Sequence, residues 1–409
     1  MGYRLEQRCS QVNGTWAPTR RTECYVGCGF GKKLTIRPVY NVSLRGCGAR
    51  KVPRAPECDA AEAADSRPAG DVFGRSNVHS PELTVIVSCF NVAPFVSACL
   101  RSIFNQPRAN RLRVLVIDDG SVDDTPELVL AEMAAHPNVS CELIRQSNQG
   151  ISSVRNTGLR LTRTRYVTFV DGDDFWAPEH LEVVMPVIEE GRADIIAFNA
   201  SVVDTAGRRL NSLRFHTRCS RGAWFSCSEL AFDAASMGEW MTWARIYKTR
   251  LLDGVCFPLG RYYGDAAVLP GLYAKATHIE TLQEELYAYR RRPGSITSSI
   301  TDKHIDDLLL NAREASARIG EGPDYWNAVR RHTILQIAGE IGRAPRPLRR
   351  SMLSRAWPVV QSHSGLAFRL NWILRMLDVC LRSEVKSLLG LKGSLVGGGV
   401  YPTASSAAK

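Results

Sequence analysis

Three carboxylates occur within four residues near the middle of this 409-residue chain, at Asp171, Asp173 and Asp174. They follow the run Tyr-Val-Thr-Phe-Val at 166–170, whose β-branched and aromatic composition is typical of a buried strand. Gly172 allows the backbone to turn sharply between the acids. Because like charges this close repel one another, a divalent cation with oxygen ligands is a natural partner for them. A solvated acidic turn is the alternative.

The elements that would position these acids alternate between strands and helices. Hydrophobic patterning predicts strands at 83–88, 113–117, 141–144 and 166–170, and helices at 96–104, from 123 onward and at 150–163. This alternation predicts an α/β fold, a doubly wound and mostly parallel sheet with helices on both faces. The turns that follow three of the strands, at 88–91, 118–121 and 171–174, should then converge on one edge and form a ligand cleft.

Four motifs occur in a fixed order along this predicted sheet. They are Val-Ile-Val-Ser-Cys-Phe-Asn at 85–91, Ile-Asp-Asp-Gly-Ser-Val-Asp at 117–123, Asn-Gln-Gly at 148–150 with Arg-Asn at 155–156, and Phe-Val-Asp-Gly-Asp-Asp at 169–174. In this order and spacing the chain resembles the family 2 glycosyltransferases over residues 83–300. The resemblance implies a GT-A fold and inverting transfer of a sugar from a nucleotide-sugar donor.

The resemblance also implies a donor site at the ends of the predicted strands. Its nucleotide-sugar-binding residues would be Ser88, Phe90, Asp118, Asp119, Arg155 and Asp171. Asp173 is the first candidate ligand of Mg²⁺ or Mn²⁺, with Asp171 as a further ligand and Asp174 as a supporting acid. Such an ion would stabilise the departing diphosphate. The alternatives are core packing for Phe90, turn capping for Asp118 and Asp119, and a surface position for Arg155.

Asp265 is the candidate catalytic base, which would take a proton from the acceptor hydroxyl as that group attacks the anomeric carbon. It lies where the family usually shows Glu-Asp, but this chain has Tyr-Gly-Asp at 263–265, so the first acid is missing. Capping of a helix that starts at Ala266 is the alternative role. Glu239 is the next acid to consider as the base.

Aromatic residues close to Asp265 in the sequence are candidate acceptor contacts, namely Trp240, Trp243 and Tyr263. Core positions are the alternative for these rings. Two further segments resemble the family. One is Trp-Ala-Arg-Ile-Tyr-Lys at 243–248, with Arg at the position of the family's Lys, and the other is Tyr-Ala-Tyr-Arg at 287–290 followed by Gly-Ser-Ile-Thr at 294–297.

These features predict a glycosyltransferase of the hexosyl or N-acetylhexosaminyl type. We expect a UDP-linked donor and a saccharide or lipid-linked acceptor, in cell-surface or exopolysaccharide biosynthesis. Two alternatives remain open: a degenerate glycosyltransferase that only binds a sugar or a partner, and a nucleotidyltransferase. The second would normally show a Gly-rich basic loop after the first strand, and residues 88–94 contain neither Gly nor a basic residue.

The net charge of +11 is unevenly distributed. Residues 1–80 hold 13 basic and 7 acidic side chains, and residues 343–392 hold 10 and 2. The intervening residues 81–342 hold 28 basic and 32 acidic side chains. Because the predicted catalytic region is slightly acidic, we expect no nucleic-acid partner.

The chain is predicted to have three regions. Residues 1–80 lack periodicity and read as a disordered extension, with a metal module around Cys24, Cys28 and Cys47 as the alternative. Residues 81–300 form the predicted GT-A domain. Residues 301–409 form a helical region with a flexible tail, with helices at 302–317, 325–341 and 366–389.

The last predicted helix, at 366–389, is amphipathic and carries basic residues. It would pack on the enzyme or on a second subunit, which would make the protein an oligomer, or contact a membrane surface peripherally. No apolar leader and no spanning run of about 20 residues is visible, and the cysteines after residue 80 are scattered singly. We therefore expect a cytoplasmic location, with the inner face of the membrane as the second choice.

Overall fold

The computed structural model describes residues 11–12, 15–16, 81–218, 225–292, 300–362 and 365–388. Most of the predicted extension 1–80, the motif at 294–297 and the predicted tail lie outside the described residues. Two short strands, β1 (Gln11–Val12) and β2 (Thr15–Trp16), pair with each other in antiparallel orientation. Among the described helices, none combines the length and the apolar character that a membrane span requires.

The first half of the domain is a parallel sheet. It contains β3 (Leu83–Cys89), β4 (Leu112–Asp118), β5 (Ser140–Arg145) and β6 (Tyr166–Asp171), in the order β5-β4-β3-β6. Between the strands lie α1 (Ala93–Phe104), α2 (Thr125–Ala135) and α3 (Ile151–Leu161). The predicted strands and helices of this half are confirmed, with ends shifted by up to three residues.

The second half extends the same sheet with mostly antiparallel strands. In chain order it adds β7 (Phe175–Trp176), α4 (His180–Glu190), β8 (Ile195–Val203), β9 (Arg209–Leu213), α5 (Cys227–Met237), β10 (Arg245–Lys248), α6 (Gly264–Lys275) and β11 (Ile279–Arg290). The described sheet runs β5-β4-β3-β6-β10-β8-β11-β7, and β9 pairs with β8. Strand β10 connects the halves, because it pairs antiparallel with both β6 and β8.

Helices cover both faces of the sheet, as predicted. Alternate residues of β3 show this: Val85 and Val87 face one core with α1, α2 and α4, and Ile86 faces the other. The second core holds residues of α3, α5 and α6, together with Trp326 and Val329 of the C-terminal region. The predicted fold class, α/β with a mostly parallel sheet and a C-terminal helical region, is confirmed.

The C-terminal region is helical throughout its described residues. It consists of α7 (Asp302–Ala317), α8 (Pro323–Arg343), α9 (Arg346–Ser362) and α10 (Leu366–Leu388). These helices share a third core that includes Leu308, Ile337, Met352 and Trp372. Helix α8 also packs on α5, so the helical region is joined directly to the sheet domain. Helix α9 is the one of these helices that the hydrophobic pattern did not predict.

The contact between α3 and β3 leaves no room for a side chain at Gly158. A Cβ atom there would lie 2.6–2.8 Å from three side-chain carbons of Ile86. We predict that Gly158→Ala lowers the free energy of unfolding by about 1–3 kcal/mol through overpacking. Gly339 in α8 is the matched control, because a Cβ atom there would meet nothing within 4 Å.

Gly339→Ala should therefore leave stability unchanged or raise it by about 0.5–1 kcal/mol, since alanine is the better helix former. Urea denaturation of both variants measures the difference. Equal effects of the two substitutions would contradict the packing described for α3.

Candidate active site

The three acids at the end of β6 lie in three different environments. Asp174 is buried and supports the turn: its carboxylate accepts hydrogen bonds from the Tyr287 hydroxyl (2.8 Å) and the Arg290 backbone N–H (2.7 Å). Burial raises the pKa of Asp174 well above its ordinary value, and the neighbouring charges of Asp173 and Asp171 raise it further. Asp174 therefore has the supporting position that the sequence predicted for it.

Asp171 is half-buried at the carboxyl end of β6. The Ser88 hydroxyl donates to its Oδ1 at 2.9 Å, which fixes the orientation of the carboxylate. Burial raises the pKa of Asp171 to about 6, the charge of Arg155 opposes this shift, and the charges of Asp173 and Asp265 add to it. Ser88 and Asp171, both predicted donor-site residues, are thus in direct contact.

Asp173 forms an ion pair with Arg292, whose Nε donates to the carboxylate. Arg290 lies alongside, and its Nε donates to the backbone carbonyl of Asp173 at 2.8 Å. Both guanidinium groups lie over the ring of Phe95. Sequence reasoning did not select these arginines, although the run of three at 290–292 within the closing motif was a usable signal.

The donor set at this turn fits a divalent ion that is shared with a substrate. Asp171 and Asp173 supply carboxylate oxygens, and the described residues contain no group of three or more acid, His or Cys side chains that could hold a metal. Mg²⁺ is typically bound in this way, through one or two carboxylates together with substrate phosphates, rather than by an all-protein cage. The chemistry of the two acids is therefore compatible with the predicted Mg²⁺ or Mn²⁺.

The loops after β3 and β4 are connected by reciprocal hydrogen bonds. The Asn91 backbone N–H donates to the Ser121 hydroxyl at 2.9 Å, and the Val122 N–H donates to Asn91 Oδ1 at 2.9 Å. Asn91 adopts a left-handed conformation with φ 51°, a conformation that asparagine tolerates better than most residues. Phe90, just before it, exposes 45% of its surface, so core packing is excluded for this ring in the described structure.

Asp118 and Asp119 are both buried, and both accept hydrogen bonds from nearby loops. Asp118 accepts from the Ser121 N–H (3.2 Å) and Arg145 Nε (2.9 Å), so it stabilises the turn, and its contact with the nucleotide stays a prediction. Asp119 accepts from the backbone N–H groups of Gln149 (3.0 Å) and Gly150 (2.7 Å). It thereby holds the loop that leads into α3.

Asp265 lies in the first turn of α6 and forms an ion pair with Arg155 of α3. Its other oxygen accepts from the backbone N–H (3.1 Å) and the hydroxyl (3.2 Å) of Thr242. Within the described structure, the N-cap of α6 is Tyr263 and no side chain caps this helix, so the alternative role of Asp265 as a cap is wrong. Arg155 is buried, with its guanidinium over the ring of Phe257, so its predicted alternative as a surface residue is wrong.

A fully buried arginine holds the loop that contacts Asp265. Arg245 donates to the carbonyls of Met241 (2.6 Å) and Glu239 (2.9 Å) and to the Tyr273 hydroxyl (2.7 Å). Thr242, which follows Met241, is thereby presented to Asp265. Sequence reasoning noted the segment 243–248 with Arg at this position but did not connect it to the candidate base.

Two of the three predicted acceptor contacts are core residues. Trp240 packs edge-on against Tyr273, and Trp243 stacks on Tyr287 at a centroid distance of 4.4 Å. Their exposed fractions are 5% and 4%, so neither presents a ring face for a sugar, and this prediction is corrected. Tyr263 is half-buried in a left-handed conformation with φ 53° immediately before α6, and its role as an acceptor contact stays a prediction.

Comparison with known proteins assigns this arrangement to a family. The family described as Glycosyl transferase family 2 matches residues 84–259. These residues form a family 2 glycosyltransferase domain. The match spans β3 to β10 and includes the acidic turn at 171–174. Asp265 lies just beyond it.

Curated relatives of the glycosyltransferase domain come from several bacteria. Glycosyltransferase GlyA of Streptococcus pneumoniae is 30% identical over 233 residues, which are 56% of this chain and 33% of GlyA. The uncharacterized glycosyltransferase EpsJ of Bacillus subtilis is 26% identical over 243 residues, which are 58% of this chain and 68% of EpsJ. The chain thus spans a third of the length of one relative and two thirds of the other.

Solved structures share the fold of the glycosyltransferase domain at low identity. S. aureus TarS 1-349 in complex with UDP-GlcNAc superimposes with a TM-score of 0.56 and 17% identity, covering 76% of this chain and 93% of that chain. The same protein with UDP gives a TM-score of 0.54. At this identity the likeness establishes the fold.

Glu239, the second candidate for the base, lies within electrostatic range of α10. Burial raises the pKa of its carboxyl from 4.5 to about 7, and the charges of Arg245 and Arg375 oppose the shift. Arg375 belongs to α10, so Glu239 lies on the side of the C-terminal helices. Because its carboxyl has a raised pKa in the folded protein, the titration of Glu239 should affect stability.

We predict that Glu239→Gln changes the pH dependence of stability. With a folded-state pKa raised to about 7, the folded protein binds more protons than the unfolded chain between about pH 4.5 and 7, so wild-type stability falls as pH rises through this window. We compare the free energy of unfolding of the variant with that of the wild type at each pH. The variant should gain roughly 2 kcal/mol relative to the wild type between pH 5 and pH 8.

Urea denaturation at the two pH values measures this difference, and titration of the other groups cancels between the two proteins. A difference that is independent of pH would contradict the environment described for Glu239.

Proposed function

We propose that this chain transfers a sugar from a nucleotide-sugar donor to a hydroxyl acceptor with inversion at the anomeric carbon. The observation that carries the proposal is the ion pair of Asp265 with Arg155 beside Asp171, at the carboxyl edge of the parallel strands. This ion pair places Asp265, the candidate proton acceptor, next to the acids proposed to bind the nucleotide-sugar donor. We infer that the donor is UDP-linked and the transferred group a hexosyl or N-acetylhexosaminyl residue.

Donor binding would use the exposed ring of Phe90 and the two acids Asp171 and Asp173. The ring offers an apolar face for the nucleotide base, and Asp119 would contact the base or the ribose. Asp173 and Asp171 would hold Mg²⁺ or Mn²⁺, which when bound neutralises charge on the departing diphosphate. Arg292 pairs with Asp173 in the described structure. Its guanidinium group therefore lies beside the proposed ion site, where it would bind a phosphate of the donor.

Transfer would proceed by direct attack. The acceptor oxygen forms a bond to the anomeric carbon, the bond from this carbon to the diphosphate breaks, and the nucleoside diphosphate leaves. The hydroxyl proton passes to Asp265. Arg155 and Thr242 orient the carboxylate for this step through the contacts described above. One displacement without a covalent intermediate inverts the anomeric centre.

A binding module without turnover is the second candidate, and the residue before Asp265 favours it. Gly264 occupies the place of the family's first acid, and a Cβ atom there would lie 3.1 Å from the Ser152 hydroxyl of α3. The close packing accounts for glycine at this position. An intact Asp265, paired with Arg155 and Thr242, nevertheless supports the enzyme.

The acceptor and the cellular role belong to the same proposal. We infer a saccharide or lipid-linked acceptor and a role in surface polysaccharide synthesis, with the protein in the cytoplasm or at the inner membrane face. The names of the relatives support the transfer reaction and leave the acceptor to experiment.

We predict that Asp173→Asn weakens divalent-dependent donor binding while the fold persists. A neutral amide is a poorer ligand for a hard cation, so the affinity for a nucleoside diphosphate in the presence of Mn²⁺ should fall at least about tenfold. The free energy of unfolding should change by less than about 1 kcal/mol, because relief of repulsion from Asp171 and Asp174 offsets the lost pair with Arg292.

Isothermal titration calorimetry with and without Mn²⁺ measures the effect. The exposed Asp253→Asn is the matched control and should bind like the wild type. Unchanged metal dependence in Asp173→Asn would remove Asp173 from the donor site.

We predict that Asp265→Asn lowers kcat by roughly 10²–10⁴ with little change in donor affinity, because a general base acts in the transition state. Asparagine keeps the hydrogen bonds to Thr242 but cannot take up the proton. Release of nucleoside diphosphate from a donor panel in the presence of acceptor saccharides measures kcat.

Asp253→Asn again serves as the matched control. An Asp265→Asn protein with near-normal turnover would refute the assignment of the base. A wild-type protein that binds donor in the calorimeter but never releases nucleoside diphosphate would favour the binding module instead.

A further inference from the structure

Helix α10 has two apolar faces on opposite sides. One face packs on α8. Trp372 is buried there, and its Nε1 donates to the Ile334 carbonyl at 2.8 Å. Val379 contacts Gly342 so closely that a Cβ atom added to this glycine would lie 2.7 Å from the Cβ of Val379. Phe368 lies under the guanidinium of Arg331 on the same side. The helix is therefore fixed on the C-terminal region without using its second face.

The second face is a narrow stripe of four exposed leucines. The exposed fractions are 51% for Leu370, 65% for Leu374, 52% for Leu377 and 63% for Leu381. Scattered exposed leucines are ordinary in soluble proteins, but a contiguous row is not. We call these four residues the leucine seam.

The spacing of the leucine seam is that of a coiled coil. Successive leucines are separated by four, three and four residues, so they occupy alternating a and d positions of a heptad over three turns of the helix. The buried Trp372 and Val379 then fall on the outer f position, directly opposite the seam. A strict a/d stripe of this width matches a second helix and is narrower than the face that a globular core or a membrane surface covers.

The residues beside the seam also favour a helix over an anionic membrane. Asn371 and the acidic Asp378 flank the leucines and are exposed. The arginines of α10 whose side chains are described interact with the protein: Arg369 donates to the Gln361 carbonyl at 2.9 Å, and Arg375 acts electrostatically on the half-buried Glu239. A membrane-surface helix would instead place its cations at the edges of the exposed apolar face.

We propose that the leucine seam binds the leucine seam of a second copy of this chain, giving a two-fold symmetric dimer through a pair of α10 helices. In such an isologous contact the same four leucines are buried on both sides. Neither the proposed donor-site residues nor the candidate base lies on α10, so the proposal is independent of the proposed function. Because the seam is short, we expect a dissociation constant on the order of 10 µM.

Sedimentation equilibrium of the full chain over about 1–200 µM tests the proposal, a range that brackets this dissociation constant. The wild type should shift from monomer to dimer across the range. Leu374→Ser/Leu377→Ser should raise the dissociation constant at least about 100-fold, since four leucines leave the dimer contact. The matched control is Leu210→Ser/Leu259→Ser, which removes two similarly exposed leucines that lie outside α10 and should leave dimerisation unchanged.

A charge-exchange pair keeps the test decisive if a serine variant folds poorly. Leu374→Lys/Leu377→Lys and Leu374→Glu/Leu377→Glu should each be monomeric alone and should form a dimer when mixed, whichever way the two helices run. A wild type that is monomeric over the whole range, or a dimer that survives both changes, overturns the proposal. Binding of a monomeric wild type to vesicles of anionic phospholipid, lost in Leu374→Ser/Leu377→Ser, would assign the seam to a membrane instead.

Discussion

Repulsion among the acids at the end of β6 is the constraint on which the rest of the site depends. Asp171, Asp173 and Asp174 share one turn, and the structure resolves their repulsion in three ways. Asp174 is buried with a raised pKa and two hydrogen-bond donors, Asp173 pairs with Arg292, and Asp171 accepts from Ser88 near Arg155. The turn concentrates negative charge at the sheet edge, where the proposed function places a cation and a diphosphate.

Most of these compensating groups come from the antiparallel half of the sheet. Tyr287 and Arg290 lie on β11, far from β6 in sequence, yet they donate to Asp174 and to the backbone of Asp173. The candidate base is supported in the same way, since the loop held by Arg245 presents Thr242 to Asp265. The parallel half thus provides the cleft, and the second half determines which of its acids remain available for chemistry.

The parallel half could be predicted from the sequence because its signals are local. Continuous β-branched runs marked the strands, and each motif followed a strand directly, so Asp171 and Asp173 were placed correctly at the sheet edge. The errors arose where the outcome depends on distant contacts. The ring of Trp243 is buried by stacking on Tyr287, 44 positions away, and the ring of Trp240 packs against Tyr273, 33 positions away. No sequence window contains these partners together, and the same holds for Arg292 with Asp173 and for Arg155 with Asp265.

The edge formed by β3, β4 and β6 is the proposed nucleotide-sugar donor site, and it is proposed to work with a divalent ion. Thermal unfolding of the full chain against a panel of nucleoside diphosphates and nucleotide sugars, with and without Mn²⁺, tests it most directly, because a ligand that binds only the folded state raises the apparent stability. We expect one class of nucleotide to raise Tm, and this rise should require Mn²⁺ and be lost in Asp173→Asn. A panel in which no nucleotide raises Tm, with or without the ion, would contradict it.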